Sequence, residues 1–71
     1  MSVATEFKID NVRGYGSAVV DRLLQAIEQD TPLRPDPGHP HLFFLEAGRD
    51  NFYIAPLCTG TIVLLAHWMA D

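Results

Sequence analysis

The chain has 71 residues, of which 48% are hydrophobic, and this combination predicts one globular domain with a small core rather than a disordered chain. Its formal charge of −4, from 5 basic and 9 acidic residues without a basic run, argues against nucleic-acid binding. A lone cysteine excludes an internal disulfide framework and a cysteine-rich zinc site, which favours a reducing compartment. A core of this size supplies only ~3 to 5 kcal/mol, so we expect self-association to add stability.

The termini carry no sign of export or membrane insertion. The first residues lack a basic-then-apolar signal pattern, and we therefore expect a cytoplasmic protein. The most apolar stretch, residues 61–70, is interrupted by His67 and has about half of the ~20 residues that a membrane-spanning helix needs. We expect no membrane contact.

The N-terminal third predicts a strand followed by a helix. Apolar and polar residues alternate over 3–9, as in an edge strand that is buried on one face. Residues 11–16 predict a turn, and Ser17 is the predicted N-cap of a helix over 18–29. The apolar side chains of this helix recur at the spacing of one buried stripe: Val20, Leu23, Leu24 and Ile27.

Residues 31–40 hold four of the five prolines. Because proline fits neither a helix interior nor a central strand, this stretch predicts a connecting loop.

Two further runs, 41–47 and 52–56, predict the strands of a hairpin with a four-residue loop over 48–51. Pairing of Ala47 with Phe52 puts one set of side chains toward the helix: Phe43, Leu45, Phe52 and Ile54. The loop charges, Arg49 and Asp50, are expected to contribute little to stability.

The C-terminal segment allows two interpretations. Thr61, Ile62 and Val63 are β-branched and favour a strand, whereas the residues after them are good helix formers. We favour the strand, which gives a single α+β domain over 1–71 of order β-α-β-β-β, with one helix on a mostly antiparallel sheet. The alternative makes 62–70 helical, with order β-α-β-β-α.

One helix of about 12 residues is ~18 Å long and ~10 Å wide, enough to cover one face of a small sheet and not two. The other face is predicted to be apolar and to form a homodimer interface through Leu42, Phe44, Tyr53, Ile62, Leu64 and Trp68. The predicted function is a non-catalytic interaction or regulatory module whose partners are a second copy and an unidentified protein.

An alternative function rests on the segment before the helix. The N-terminal end of the predicted helix can hold an anion through its free amides and the helix dipole. The residues at this end are Arg13, Gly14, Gly16 and Ser17. Because Val19 occupies the position of the third glycine in a dinucleotide-binding motif, a turn that uses the two glycines is the favoured interpretation. The alternative is therefore a small-ligand or anion-binding protein.

The residues with reactive or metal-binding side chains show no defining spacing: Asp36, His39, His41, Cys58 and His67. Neither a base nor an oxyanion hole can be assigned to Cys58 from the sequence. We therefore predict no metal, no cofactor and no catalysis.

Overall fold

The computed structural model describes residues 7–70. In this part of the chain five strands form one sheet, and one helix lies on one side of it. Its elements are β1 (Lys8–Asp10), α1 (Ser17–Glu28), β2 (Leu33–Asp36), β3 (His39–Ala47), β4 (Asp50–Pro56) and β5 (Thr61–Met69). The strand order is β1-β5-β4-β3-β2. β1 is parallel to β5 and every other neighbouring pair is antiparallel.

The α+β class and the predicted order are confirmed, with one further strand between the helix and the predicted hairpin. The C-terminal segment is a strand from Thr61 to Met69, so the helical alternative for 62–70 is wrong. Position in the sheet explains this outcome, because β5 lies between β1 and β4 and bonds to both. The predicted first strand is present as Lys8–Asp10, while residues 3–6 of that prediction lie outside the described residues.

The proline-rich stretch is not simply a loop, which corrects the prediction. Residues 33–36 pair with β3 and make β2 the outermost strand, where a proline needs no partner for its missing N–H. Pro37 and Gly38 form the connection to β3, and the Gly38 amide donates to Asp36 Oδ1 at 3.0 Å. An aspartate bonded to the amide two residues on is a common way to stabilise a turn.

The hairpin between β3 and β4 is tighter than predicted. Ala47 pairs with Asp50, so the loop has two residues, Gly48 and Arg49, and not four. Gly48 has φ +64°, the positive value that the first central residue of such a turn requires. The shift by two residues preserves the predicted faces, because side chains alternate with a period of two.

The helix differs from prediction at its first turn and in the rotation of its buried face. The N-cap is Gly16 and not Ser17, and no side chain caps the amides of the first turn. The fully buried helix residues are Leu23 and Ala26. Val20 and Leu24 are only half-buried, because the apolar stripe is centred nearer Leu23 than the predicted pattern placed it.

The core lies between α1 and the sheet. Its buried members are Leu23, Ala26, Leu45, Phe52, Ile54 and Leu64. In the part of the chain that the structure describes, no helix is long and apolar enough to cross a membrane.

Candidate functional site

The side of the sheet that faces away from α1 is lined by aromatic and aliphatic side chains. Strand register puts Phe44 opposite Tyr53, Tyr53 opposite Ala66, and Asn51 opposite Trp68, all on this side. Leu42 lies on the same side of β3, two residues before Phe44. We call this surface the open face, since no helix among residues 7–70 covers it.

Three aromatic rings form the centre of the open face. The ring centroids of Phe44 and Tyr53 lie 4.8 Å apart, and those of Phe44 and Trp68 lie 6.3 Å apart in an edge-to-face arrangement. Such contacts fix ring orientation beyond what burial alone does. Trp68 is nevertheless 44% exposed, which leaves a large apolar side chain in water.

Tyr53 is held in place at its hydroxyl. It donates to Asp36 Oδ2 at 2.6 Å, and the second oxygen of the same carboxylate accepts from the Gly38 amide. The Tyr53 hydrogen bond is the main cause of a lowered pKa at Asp36. The same bond raises the pKa of Tyr53 to about 12, because the carboxylate opposes formation of a phenolate beside it. The Tyr53 ring is therefore held in one orientation by contacts within the chain.

Two of the predicted interface residues lie on the other side of the sheet. Leu64 is 0% exposed in the core and Ile62 packs against that core. The prediction for these two is wrong because it assumed that the turn at 57–60 carried the register unchanged into β5. A bulge at Leu65 then shifts the register between Ile54–Leu64 and Tyr53–Ala66, which returns Trp68 to the open face. Leu42, Phe44, Tyr53 and Trp68 do lie there together.

A second polar cluster lies on the helix side, at the C-terminal end of β5. His67 Nε2 lies 2.8 Å from Asp50 Oδ1, and Arg22 Nη1 lies 3.1 Å from the same oxygen. The hydrogen bond from His67 is the main cause of a lowered pKa at Asp50, with Arg22 adding to it. Because an ionised carboxylate only accepts hydrogen bonds, Nε2 carries the proton in this contact.

The same cluster connects the segment before the helix to the sheet. The backbone N–H of His67 donates to the Tyr15 hydroxyl at 3.0 Å, and the two rings meet edge to face at 5.8 Å. Phe52 also lies close to the imidazole of His67, with ring centroids 5.1 Å apart. The cluster thus ties together α1, β4, β5 and the loop before α1, which is a structural role.

Sequence reasoning missed this cluster because its members are far apart in the chain. Asp50 was predicted to be a solvated loop charge, whereas it begins β4 with a side chain only 13% exposed. One signal was available: His67 is the only titratable residue in an otherwise apolar strand. A buried histidine usually has a hydrogen-bond partner, and a carboxylate is a common one.

The predicted anion loop is an ordered turn. Asn11 holds it closed, donating to the Tyr15 carbonyl at 2.6 Å and accepting from the Tyr15 amide at 2.9 Å. Gly14 has φ +72°, which supports the turn interpretation of the glycines. Arg13, Gly16 and Ser17 are exposed around this turn, and nothing at them beyond the uncapped helix end points to an anion.

The remaining reactive residues are dispersed. Asp36 and His39 are register partners in the β2–β3 hairpin, and Cys58 is exposed in the turn before β5. Across residues 7–70, no three side chains from His, Cys, Asp and Glu converge as metal ligands would. Cys58 lies before the start of β5, and His67 lies six residues, or ~20 Å, after that start, so the thiol and the imidazole are far apart.

The open face is therefore the candidate site, with an aromatic centre and a hydrogen-bonded margin at Asp36. In the comparisons with known proteins, no family model, no curated protein and no solved structure matches this chain.

Proposed function

We propose that this protein is a non-catalytic module that acts by binding protein through the open face, and that a second copy of the chain is its first partner. The observation that carries the proposal is the exposure of Trp68 beside Phe44 and Tyr53. Tryptophan and tyrosine are enriched at the centres of protein interfaces, where they supply large contact areas with few rotatable bonds.

The size of the open face suits a small dimer. Four strand spacings give a width of ~19 Å, and seven residues of β4 give a length of ~24 Å. Stable interfaces bury about 800 Å² per partner, whereas the open face is only ~450 Å² in flat projection, so an interface formed through it is small. We therefore expect association at micromolar rather than nanomolar concentrations.

The sheet edges favour association through the face. β1 has only 3 residues, and β2 has 4 with Pro35 among them. Short strands and edge prolines are devices that prevent a sheet from adding another strand at its side. A second copy that stacks on the open face does not need to pair with these edges. Two copies stacked in this way form a closed dimer with two-fold symmetry.

The test is sedimentation equilibrium on the wild type and two single variants. Trp68→Arg places a charge on the open face, whereas Met69→Arg places the same charge on the next residue, which pairs with Asp50 and points to the opposite side. Both residues are exposed, 44% and 51%, so neither change empties the core. Circular dichroism is used to check that each variant is folded.

We expect the wild type and Met69→Arg to sediment at twice the 7.9 kDa chain mass, and Trp68→Arg to sediment as a monomer. A monomeric wild type, or a Trp68→Arg variant that dimerises as tightly as the wild type, overturns the proposal.

The anion-binding alternative is tested with the same protein. A ligand that binds only the folded state raises the unfolding temperature once its concentration exceeds the dissociation constant, and the rise then grows with the logarithm of the concentration. We expect titration with phosphate to leave the unfolding temperature of the wild type unchanged. A rise that Arg13→Ala removes would instead favour the alternative.

A further inference from the structure

Strand β5 is longer than the strand that lies beside it at the sheet edge. It has 9 residues, whereas β1 has 3 and pairs only with Thr61, Ile62 and Val63. Among residues 7–70, no strand lies on that side of the remainder of β5, residues 64–69, which we call the free edge. An uncovered strand edge presents backbone N–H and C=O groups that can pair with another chain.

The register between β4 and β5 shows which backbone groups point to the free edge. Just beyond the end of this ladder, the Ala70 amide donates to the Arg49 carbonyl at 2.7 Å. Hydrogen-bonded and non-hydrogen-bonded pairs alternate along an antiparallel ladder. Trp68 therefore bonds to β4, whereas the N–H and C=O groups of His67 and Met69 point away from β4. The free edge has backbone donors and acceptors at these two positions.

A side chain occupies the first of the two positions. The His67 amide donates to the Tyr15 hydroxyl at 3.0 Å, where a neighbouring strand would supply a carbonyl. Asn11 fixes Tyr15 there, because its side-chain amide bonds to the backbone N–H and C=O of Tyr15 at 2.9 and 2.6 Å. The second position, the Met69 amide, has no such partner from the loops of residues 7–70.

The free edge also presents apolar side chains on both sides of the sheet. Trp68 is 44% exposed and Met69 is 51% exposed, and as consecutive strand residues they point to opposite sides. A partner stacked on the open face contacts only Trp68. A strand added beside β5 lies against both side chains, so the free edge suits strand addition better than any other edge of this sheet.

We propose that Tyr15 blocks pairing of the free edge with the same edge of a second copy. An antiparallel pairing about a two-fold axis at Trp68 places His67 opposite Met69 of the other copy, where each N–H meets a C=O. Paired strands lie ~4.8 Å apart, and the Tyr15 hydroxyl, 3.0 Å from the His67 nitrogen, stands within that space. Together with the short β1 and Pro35 of β2, Tyr15 keeps association away from the sheet edges.

Sedimentation velocity tests the blocking role on the wild type, Tyr15→Ala and the double variant Tyr15→Ala/Met69→Pro, at one chain concentration. Alanine removes the phenol. Proline removes the Met69 N–H without breaking a bond to β4, because that N–H points to the free edge. We expect Tyr15→Ala to sediment at about twice the mass of the wild type or more, and the double variant to return to the wild-type mass. Met69→Pro alone should match the wild type.

Asn11→Ala provides a second route to the same result. It leaves the phenol in the chain and removes the two hydrogen bonds that position it, so we expect a shift to larger mass in the same direction. Circular dichroism is used to check folding. Folded Tyr15→Ala and Asn11→Ala variants that keep the wild-type mass overturn the proposal, and so does a larger species that Met69→Pro leaves intact.

Amide hydrogen exchange tests the free edge in the wild type itself. We expect the Met69 amide to exchange at least about tenfold faster than those of Trp68 and His67, which are bonded to β4 and to Tyr15. Equal exchange of Met69 and Trp68 would mean that this edge is already covered, which overturns the proposal. Every mass is compared with that of the wild type, so a monomeric wild type overturns the proposed function and leaves the blocking role to be decided by the variants.

Discussion

At the residue scale, two carboxylates determine how the polar groups are organised on the two sides of the sheet. Asp36 holds the Tyr53 hydroxyl at the open face, and Asp50 holds His67 and Arg22 on the helix side. Both have a lowered pKa, and in both cases a hydrogen bond to the ionised form is the main cause. Both therefore make a contribution to stability that depends on pH.

For Asp36 and Tyr53 the pH window can be stated. A lowered pKa at Asp36 gives stability that is present above its unfolded value of 3.8 and is lost as the pH falls through the folded value. A raised pKa at Tyr53 gives stability that is present below its unfolded value of 10.0 and is lost as the pH rises through about 12. We expect part of the tyrosinate absorbance to appear only as the pH approaches about 12, where Tyr53 ionises.

The variant Asp36→Asn tests the cause of that shift. Without the carboxylate charge, the ionisation of Tyr53 should move from about 12 toward the ordinary tyrosine pKa of about 10. Unchanged ionisation of Tyr53 in this variant would show that the Asp36 bond is not what holds the Tyr53 proton.

The second residue-scale prediction concerns neighbouring charges with different surroundings. Asp50→Ala should lower the urea midpoint, because it leaves His67 Nε2 and Arg22 without their shared acceptor in a partly buried site. Arg49→Ala removes an exposed side chain from the hairpin loop and should change stability by less than ~0.5 kcal/mol. Equal midpoints for the two variants would contradict the structural role assigned to Asp50.

At the element scale, helix α1 closes the core by packing on one side of the sheet. Leu23 is 0% exposed, while its neighbour Leu24 is only half-buried. We expect Leu23→Ala to cost ~2 to 5 kcal/mol, which unfolds most of so small a domain, and Leu24→Ala to cost clearly less. Urea unfolding measures both. A larger loss for Leu24→Ala would mean that the helix is rotated from the orientation described above.

The end of the same helix is under backbone strain that a substitution can relieve. Asp30 has φ +57°, and the amides of Asp30 and Thr31 donate to the carbonyls of Ile27 and Ala26, as in a glycine-terminated helix. Asp30→Gly should therefore raise the free energy of unfolding by about 1 kcal/mol, since it removes both the strained side chain and a negative charge beside the negative helix end. Asp21→Gly, inside the helix, should do the reverse.

The elements also show which parts of the fold the sequence could predict. Helix α1 and the pairing faces of β3 and β4 were predictable because their apolar residues follow a period of 3.6 or 2. β2 was not, because its prolines indicate a loop unless the strand is known to lie at a sheet edge. The bulge at Leu65 leaves no periodic signal, and it alone decides which side of the sheet Trp68 occupies.

At the scale of the whole molecule, residues 7–70 form two layers, with one helix on one side of one sheet. Within this part of the chain the core has six buried side chains, which is little for a domain of this size. Part of the candidate site was predictable for the same reason: a single helix cannot cover both faces, so an apolar second face had to be open. The cross-strand neighbours of Lys8, Asp10 and Arg34 were not predictable, because they depend on the register between strands that are distant in the chain.

If the open face is buried between two copies, folding and association are linked, and stability depends on protein concentration. For a dimer that unfolds to two chains, a tenfold rise in concentration should raise the unfolding temperature of the wild type by about 3 to 5 °C. Met69→Arg should show the same slope, because its charge lies away from the open face. Trp68→Arg should unfold at one temperature over the whole range, since a monomer has no such dependence. Scanning calorimetry from roughly 10 to 100 micromolar chain measures the three slopes, and a flat line for the wild type would mean that the open face stays in water.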